Sequence, residues 1–167
     1  PHLTFAVNIS PRQFRNPDFV DRIRHLLKEF GADPKRLTLE VTEGLLITDF
    51  NQSSKRMLEL QELGISFSID DFGTGYSSLS YLKKLPINEL KIDRSFVDGL
   101  PDDSSDALLV ETMMAVAKHL DLAVVAEGVE TQEQQAYLYS VGCNLHQGYL
   151  YGKPEPAEQL LARLKKS

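Results

Sequence analysis

Cysteine is nearly absent: Cys143 is the only one in 167 residues. A disulfide framework is therefore excluded, and a reducing, cytoplasmic setting is the expected one. Cys143 follows Gly142 in an apolar stretch, which suits packing better than nucleophilic work. No apolar run approaches the roughly 18 residues of a membrane span. No signal peptide, linker or low-complexity tract is visible in these residues, and a start at Pro1 without Met leaves targeting segments upstream open, as expected of a piece of a longer protein. Basic charge is in deficit, with 18 Lys and Arg against 24 Asp and Glu for a net charge of −6. Such a chain offers no broad basic surface to a nucleic-acid polymer. There is no Gly-x-Ser-x-Gly and no Walker lysine motif, so an elbow serine and a phosphate loop are both set aside. His25 and His119 fall on helical stretches and His146 is expected to point outward; none has a second ligand at metal spacing.

What remains is a chain with 42% hydrophobic residues, enough for one sizeable core. Its organising stretch is residues 66–78. Ser66, Ser68 and Asp70 alternate with Phe67 and Ile69, a period of two that predicts a strand. Asp70 and Asp71 end that strand, a loop with Gly73 and Gly75 follows, and Ser77 or Ser78 caps the next helix. An isolated Asp-Asp is more often a solvated turn than a site. Here the pattern recurs, because nearly every strand ends on a polar or charged residue.

Residues 3–9 alternate as a first strand, with Phe5, Val7 and Ile9 on one face. Asn16 and Pro17 open a helix that Gly31 ends. Residues 37–43 form a second strand, followed by a helix over about 49–63 that Gly64 ends. The fourth strand is 89–93, and a helix over about 104–120 follows it. The fifth strand is 122–127, after which Thr131 and Gln134 form a capping box. A short sixth strand covers 144–147, and Pro156 starts a last helix.

Strand and helix thus alternate six times in units of about 25 to 30 residues, the signature of parallel crossovers. An open doubly wound sheet and a closed barrel compete. Strands covered on both faces are usually apolar throughout. Here one face is large and apolar and the other small or polar, which favours a TIM-like (β/α) barrel. A complete barrel has eight strands in about 250 residues. About six of the eight units are expected here, in a single domain over 1–167 lacking its first strands.

The last inward position of each strand is Asn8, Glu40, Asp70, Lys91, Glu127 and Gln147, with Asp71 one step beyond Asp70. Two carboxylates about 5 Å apart repel by roughly 3 kcal/mol at an effective dielectric near 20. One lysine cannot neutralise four acids, so they either take up protons or hold cations. Oxygen ligands without Cys or His select hard ions, Mg²⁺ or Mn²⁺. A carboxylate bridging two such ions suits in-line attack on a phosphodiester. A glycosidase pair fits less well beside Lys91 and two amides.

The runs Asp70-Asp71-Phe72-Gly73-Thr74-Gly75-Tyr76-Ser77-Ser78-Leu79, Lys91-Ile92-Asp93, Ala126-Glu127-Gly128-Val129-Glu130 and Gln147-Gly148-Tyr149 closely resemble the EAL domain family. Asn8-Ile9-Ser10 and Leu39-Glu40-Val41-Thr42-Glu43 match its other signatures, so the resemblance covers essentially the whole chain. It implies a bacterial second-messenger phosphodiesterase that opens cyclic di-GMP to linear pGpG with two Mg²⁺ or Mn²⁺ ions. A non-catalytic cyclic di-GMP receptor is the alternative. By the resemblance, Asn8, Glu40 and Asp70 would bind one ion, and Asp70 would bridge to a second held by Asp71 and Glu127. Lys91 would orient or deprotonate the attacking water, and Gln147 would support the metal-water network. Glu43 would brace the loop after Asp71. Thr74, Gly75, Asp93 and Glu130 would serve that loop and the substrate, with a structural role for Glu130 as an equal alternative.

The family's eponymous Glu-Ala-Leu strand is absent from these residues, and its glutamate is a ligand of the first ion. Residues 1–167 alone are therefore expected to be nearly inactive, and either oligomeric through open strand edges or poorly soluble. For the longer protein a homodimer and upstream sensor or cyclase-type domains are expected, with a membrane anchor left open.

Overall fold

The computed structural model describes residues 3–73 and 79–164. Six strands run in chain order through one sheet, β1 (Phe5–Asn8), β2 (Leu37–Thr42), β3 (Ser66–Phe72), β4 (Glu89–Ile92), β5 (Ala123–Ala126) and β6 (Leu145–His146). Every neighbouring pair is parallel. The helices between them are α1 (Pro11–Phe14), α2 (Phe19–Phe30), α3 (Glu43–Thr48), α4 (Phe50–Gln61), α5 (Leu79–Leu82), α6 (Arg94–Val97), α7 (Ser104–His119) and α8 (Gln132–Ser140), and α9 (Ala157–Leu164) follows β6. These are consecutive strand-helix units of a TIM-like barrel, with β1 and β6 on the two edges.

Alternation along each strand decides what lies where. Leu39, Val41, Phe67, Ile69, Leu90 and Ile92 are buried on the face that meets the helices, together with Met57 and Leu60 of α4 and Val110, Met113 and Ala117 of α7. The opposite positions are Glu40, Ser68 and Lys91, also buried. Truncating a side chain such as Phe67 in this layer would cost about 3 to 5 kcal/mol. On the edges the apolar face lacks cover: Phe5 is 56% exposed and Leu145 is 50% exposed.

The long helices sit close to where their signals put them. Gly31 ends α2 in the left-handed conformation, and Asp49 caps α4 through the Gln52 amide. The Asn16 cap belongs elsewhere: its side chain accepts from Asp18 N at 2.9 Å, and α2 begins at Phe19 after Asp18. Three short helices, α1, α3 and α6, carry too few residues to show a period, so no pattern announced them. α1 has a complete capping box, Ser10 with Gln13, that spacing alone would have revealed.

The chain turns sharply after β6 because Gly148 lies against the Val129 backbone. A Cβ there would stand 2.1 Å from the Val129 carbonyl oxygen and 2.3 Å from its nitrogen. Backbone cannot step aside as a flexible side chain can. Gly148→Ala is therefore expected to destabilise the protein by about 1 to 3 kcal/mol, seen as a lower melting temperature. An unchanged melt would mean that this turn is free to move.

Candidate functional site

All strands being parallel, their C-terminal ends form one rim. Asn8 pairs with Glu40 and Thr42 with Asp70 in the strand register. The end of β3 departs from regular pairing. Ile69 pairs with Leu90 but Phe72 pairs with Ile92, so three steps on β3 span two on β4. That is a bulge, and it coincides with Asp71 at φ 55. In a regular strand Asp71 would face the helices if Asp70 faces inward. The extra residue and the left-handed backbone, which aspartate tolerates better than most, turn it back to the rim. Carboxylate oxygens of Asp70, Asp71 and Glu127 consequently lie within 4.8 Å of one another.

Lys91 on β4 reaches this group from below. Its Nζ is 2.9 Å from Glu40 Oε1, 3.2 Å from Asp70 Oδ1 and 2.5 Å from Glu127 Oε1, and the residue is 3% exposed. One ammonium thus joins three strands through their acids. Burial alone would push the Lys91 ammonium down, but hydrogen bonds to Glu127 and Glu40 hold it above the ordinary lysine range. Glu127 does not receive a matching benefit. Burial raises its carboxyl, and Asp70 and Glu40 add to that, against the pull of Lys91. The two directions are consistent, since a cation shared by three acids satisfies none of them fully.

Asp71 is likewise raised, first by burial and then by the charges of Asp70 and Asp93. Its side chain hydrogen-bonds Asp93, whose own carboxyl is held low chiefly by Ser95, against the effect of burial. Asp93 caps α6 by accepting from the Ser95 N–H at 2.9 Å and the Ser95 hydroxyl at 2.5 Å. The cap fixes Asp93, and Asp93 in turn meets Asp71.

The remaining candidates are distributed around this centre. Asn8 stands exposed at the end of edge strand β1, level with Glu40. Glu43 is buried in the first turn of α3. Gln147, just past β6, is anchored by its backbone: its N–H donates to the Ala126 carbonyl at 2.8 Å, and its own carbonyl accepts from Val129 N at 3.0 Å. Glu130 pairs with Arg94 at 3.0 Å, and its N–H donates to Gln134 Oε1 at 2.8 Å. Thr74 and Gly75 lie outside the described residues. Arg94 and the cross-chain reach of Gln134 were not foreseen. The capping-box spacing of Thr131 and Gln134 was the available signal for the second.

The donor set suits a hard divalent cation. It is all oxygen, the converging acids come from β3 and the end of β5, and three carboxylates, Glu40, Asp70 and Glu127, share a single lysine. Burial first, and neighbouring acids second, raise the carboxyls of Asp71 and Glu127.

Comparison with known proteins gives a consistent picture. The EAL domain family model matches residues 1–154. The bifunctional diguanylate cyclase/cyclic di-GMP phosphodiesterase MucR of Pseudomonas aeruginosa is 50% identical over 157 residues, which is 94% of this chain and 23% of MucR. The solved PaMucR phosphodiesterase in complex with c-di-GMP superposes with a TM-score of 0.90 at 49% identity, covering 94% of this chain and 64% of that one. A manganese/cy-diGMP complex of Klebsiella pneumoniae BlrP1 gives a TM-score of 0.83 at 36% identity over 90% of this chain and 39% of that one. The chain therefore spans about a quarter of the length of its curated relative.

Proposed function

This chain belongs to the EAL domain family, and from that premise we propose that it forms the catalytic part of a metal-dependent phosphodiesterase hydrolysing cyclic di-GMP to linear pGpG. The observation that carries the reading is the convergence of Asp70, Asp71 and Glu127 on one point beside a lysine that already holds Glu40. Asp70, Asp71 and Glu127, with Asn8 and Glu40, would hold two Mg²⁺ or Mn²⁺ ions. Such ions polarise a phosphoryl oxygen and make bound water a nucleophile near neutral pH.

The chain's own residues have separate tasks. Lys91 fixes Glu40, Asp70 and Glu127 in one arrangement and presents an ammonium where the attacking water is oriented. Asp93 orients Asp71. Gln147, set by its backbone bonds to Ala126 and Val129, supports the water network. Glu43 braces the loop after β3, and Thr74 and Gly75 belong to that loop. Glu130, tied to Arg94 and Gln134, has a structural part. In the reaction one water adds across one P–O3′ bond, leaving a 3′-hydroxyl and a 5′-phosphate. The longer protein is read as a homodimer, and it is read as carrying further signalling domains, the latter in keeping with the bifunctional MucR.

The test uses the intact protein with cyclic di-GMP and Mn²⁺, followed by anion-exchange chromatography. pGpG should accumulate, stop on addition of EDTA, and resume when Mn²⁺ is restored in excess. Tight cyclic di-GMP binding without turnover in Mn²⁺ or Mg²⁺ would replace the enzyme by a receptor.

A further inference from the structure

Gln134 is 5% exposed and makes more bonds than a helix cap requires. Its Oε1 accepts from the N–H groups of Glu130 at 2.8 Å and Thr131 at 3.0 Å. Its Nε2 donates to the Val97 carbonyl at 3.2 Å, between residues 37 apart in the chain. The first two bonds close the start of α8. The third reaches the last residue of α6, the turn that follows Lys91 and Asp93.

Three other ties converge on the same segment. Glu127 N donates to the Ile92 carbonyl at 3.1 Å, and Val129 N donates to the Gln147 carbonyl at 3.0 Å. Arg94 reaches across to Glu130, and its stem lies over Gly128, where a Cβ would stand 2.3 Å from Arg94 Cγ. Gly128 has φ +71, a conformation that glycine adopts without strain. The Arg94 ion pair is half exposed and contributes little by itself. The Gln134 contact to Val97 is buried, and losing the side chain would leave the Glu130 and Thr131 N–H groups without this acceptor and the Val97 carbonyl with the Leu100 N–H, at 3.1 Å, in place of two donors.

We propose that Gln134 is a positioning residue: by fastening the start of α8 to α6, it sets where Glu127 stands relative to Lys91 and Asp71. The proposal rests on the phosphodiesterase reading, because metal affinity and turnover are its readouts. Thr131 supplies the control. Its Oγ1 accepts from Gln134 N, at 3.2 Å within the cap, so Thr131→Ala weakens α8 without touching the bond to Val97.

Wild type, Gln134→Met and Thr131→Ala would be compared in the intact protein by thermal melting, Mn²⁺ calorimetry without nucleotide, and kcat and KM for cyclic di-GMP. Both variants should melt lower. Gln134→Met alone should weaken Mn²⁺ binding about tenfold or more and lower kcat by a similar factor, with KM little changed. Mn²⁺ affinity and kcat in Gln134→Met no lower than in Thr131→Ala would overturn the proposal. Should Gln134→Met fail to fold, Gln134→Glu keeps an acceptor for the Glu130 and Thr131 N–H groups and sets a carboxylate oxygen against the Val97 carbonyl in place of the donor, and wild-type affinity in that protein would be equally fatal. A wild type that neither binds Mn²⁺ nor turns over would bring down the underlying reading first, and this proposal with it.

Discussion

Asp70→Asn is expected to abolish Mn²⁺- or Mg²⁺-dependent hydrolysis of cyclic di-GMP while leaving the fold intact. The substitution keeps the size of the side chain and a carbonyl oxygen able to accept from Asp71 N, which Asp70 Oδ1 does at 3.2 Å. It removes one of the three acids whose oxygens lie within 4.8 Å of one another. On the proposed reading Asp70 serves both ions, so the loss falls on both at once. Metal ions contribute several kcal/mol to a phosphoryl transition state, and about 4 kcal/mol is roughly a thousandfold in rate. The metal-free protein should melt no lower than wild type, because one repulsive charge has gone. Its melting temperature should no longer rise when Mn²⁺ is added, since a ligand that binds only the folded state stabilises in proportion to its affinity. Undiminished turnover with metal present would sink the two-ion assignment.

Lys91→Ala is expected to cut turnover by orders of magnitude while cyclic di-GMP binding survives, because the ammonium acts at the water and not on the ligand. The structure adds an effect on stability. Lys91 is buried against Glu40, Asp70 and Glu127, and its removal leaves three acids without their shared cation. Breaking a buried pair on one side costs on the order of 3 to 5 kcal/mol. The metal-free variant should therefore unfold at clearly lower urea, and Mn²⁺ should restore much of the difference. The pH dependence follows from the raised Lys91 ammonium. A group whose folded pKa exceeds its unfolded value stabilises fully below the unfolded value, here the ordinary lysine range near pH 10.4. Its contribution is lost only as pH rises through the folded value, so the gap between wild type and variant should narrow in strong alkali. Glu127, raised by burial, works in the opposite sense and opposes folding once pH passes the ordinary glutamate range. If ligand binding falls as far as turnover, Lys91 holds phosphate and its assigned task is wrong.

Much of this site was legible in residue types and spacing. Alternation in β2, β3 and β4 put Glu40, Asp70 and Lys91 on the inward face, and the structure finds all three there, with both acids paired to Lys91. The six-unit rhythm predicted a parallel sheet in chain order, and the sheet has that order. Parity is a local property, set by the pleat of each strand whatever its neighbours do. The capping box of Thr131 and Gln134 is local in the same way, four consecutive residues deciding two hydrogen bonds.

What tertiary structure alone decided concerns how one strand meets the next. By parity Asp71 belongs on the helix side; the mismatch between β3 and β4 and the left-handed backbone at Asp71 bring it to the rim. Its partnership with Asp93 depends on that same mismatch. Lys91 selects three carboxylates from the rim because β2, β3 and β5 end at heights from which one Nζ can reach them all. Gln134 finds Val97 only once the end of α6 is brought to the start of α8. Residue type and period determine which face a side chain takes. Register, stagger and helix packing determine which faces meet, and these arise from contacts between segments distant in the chain.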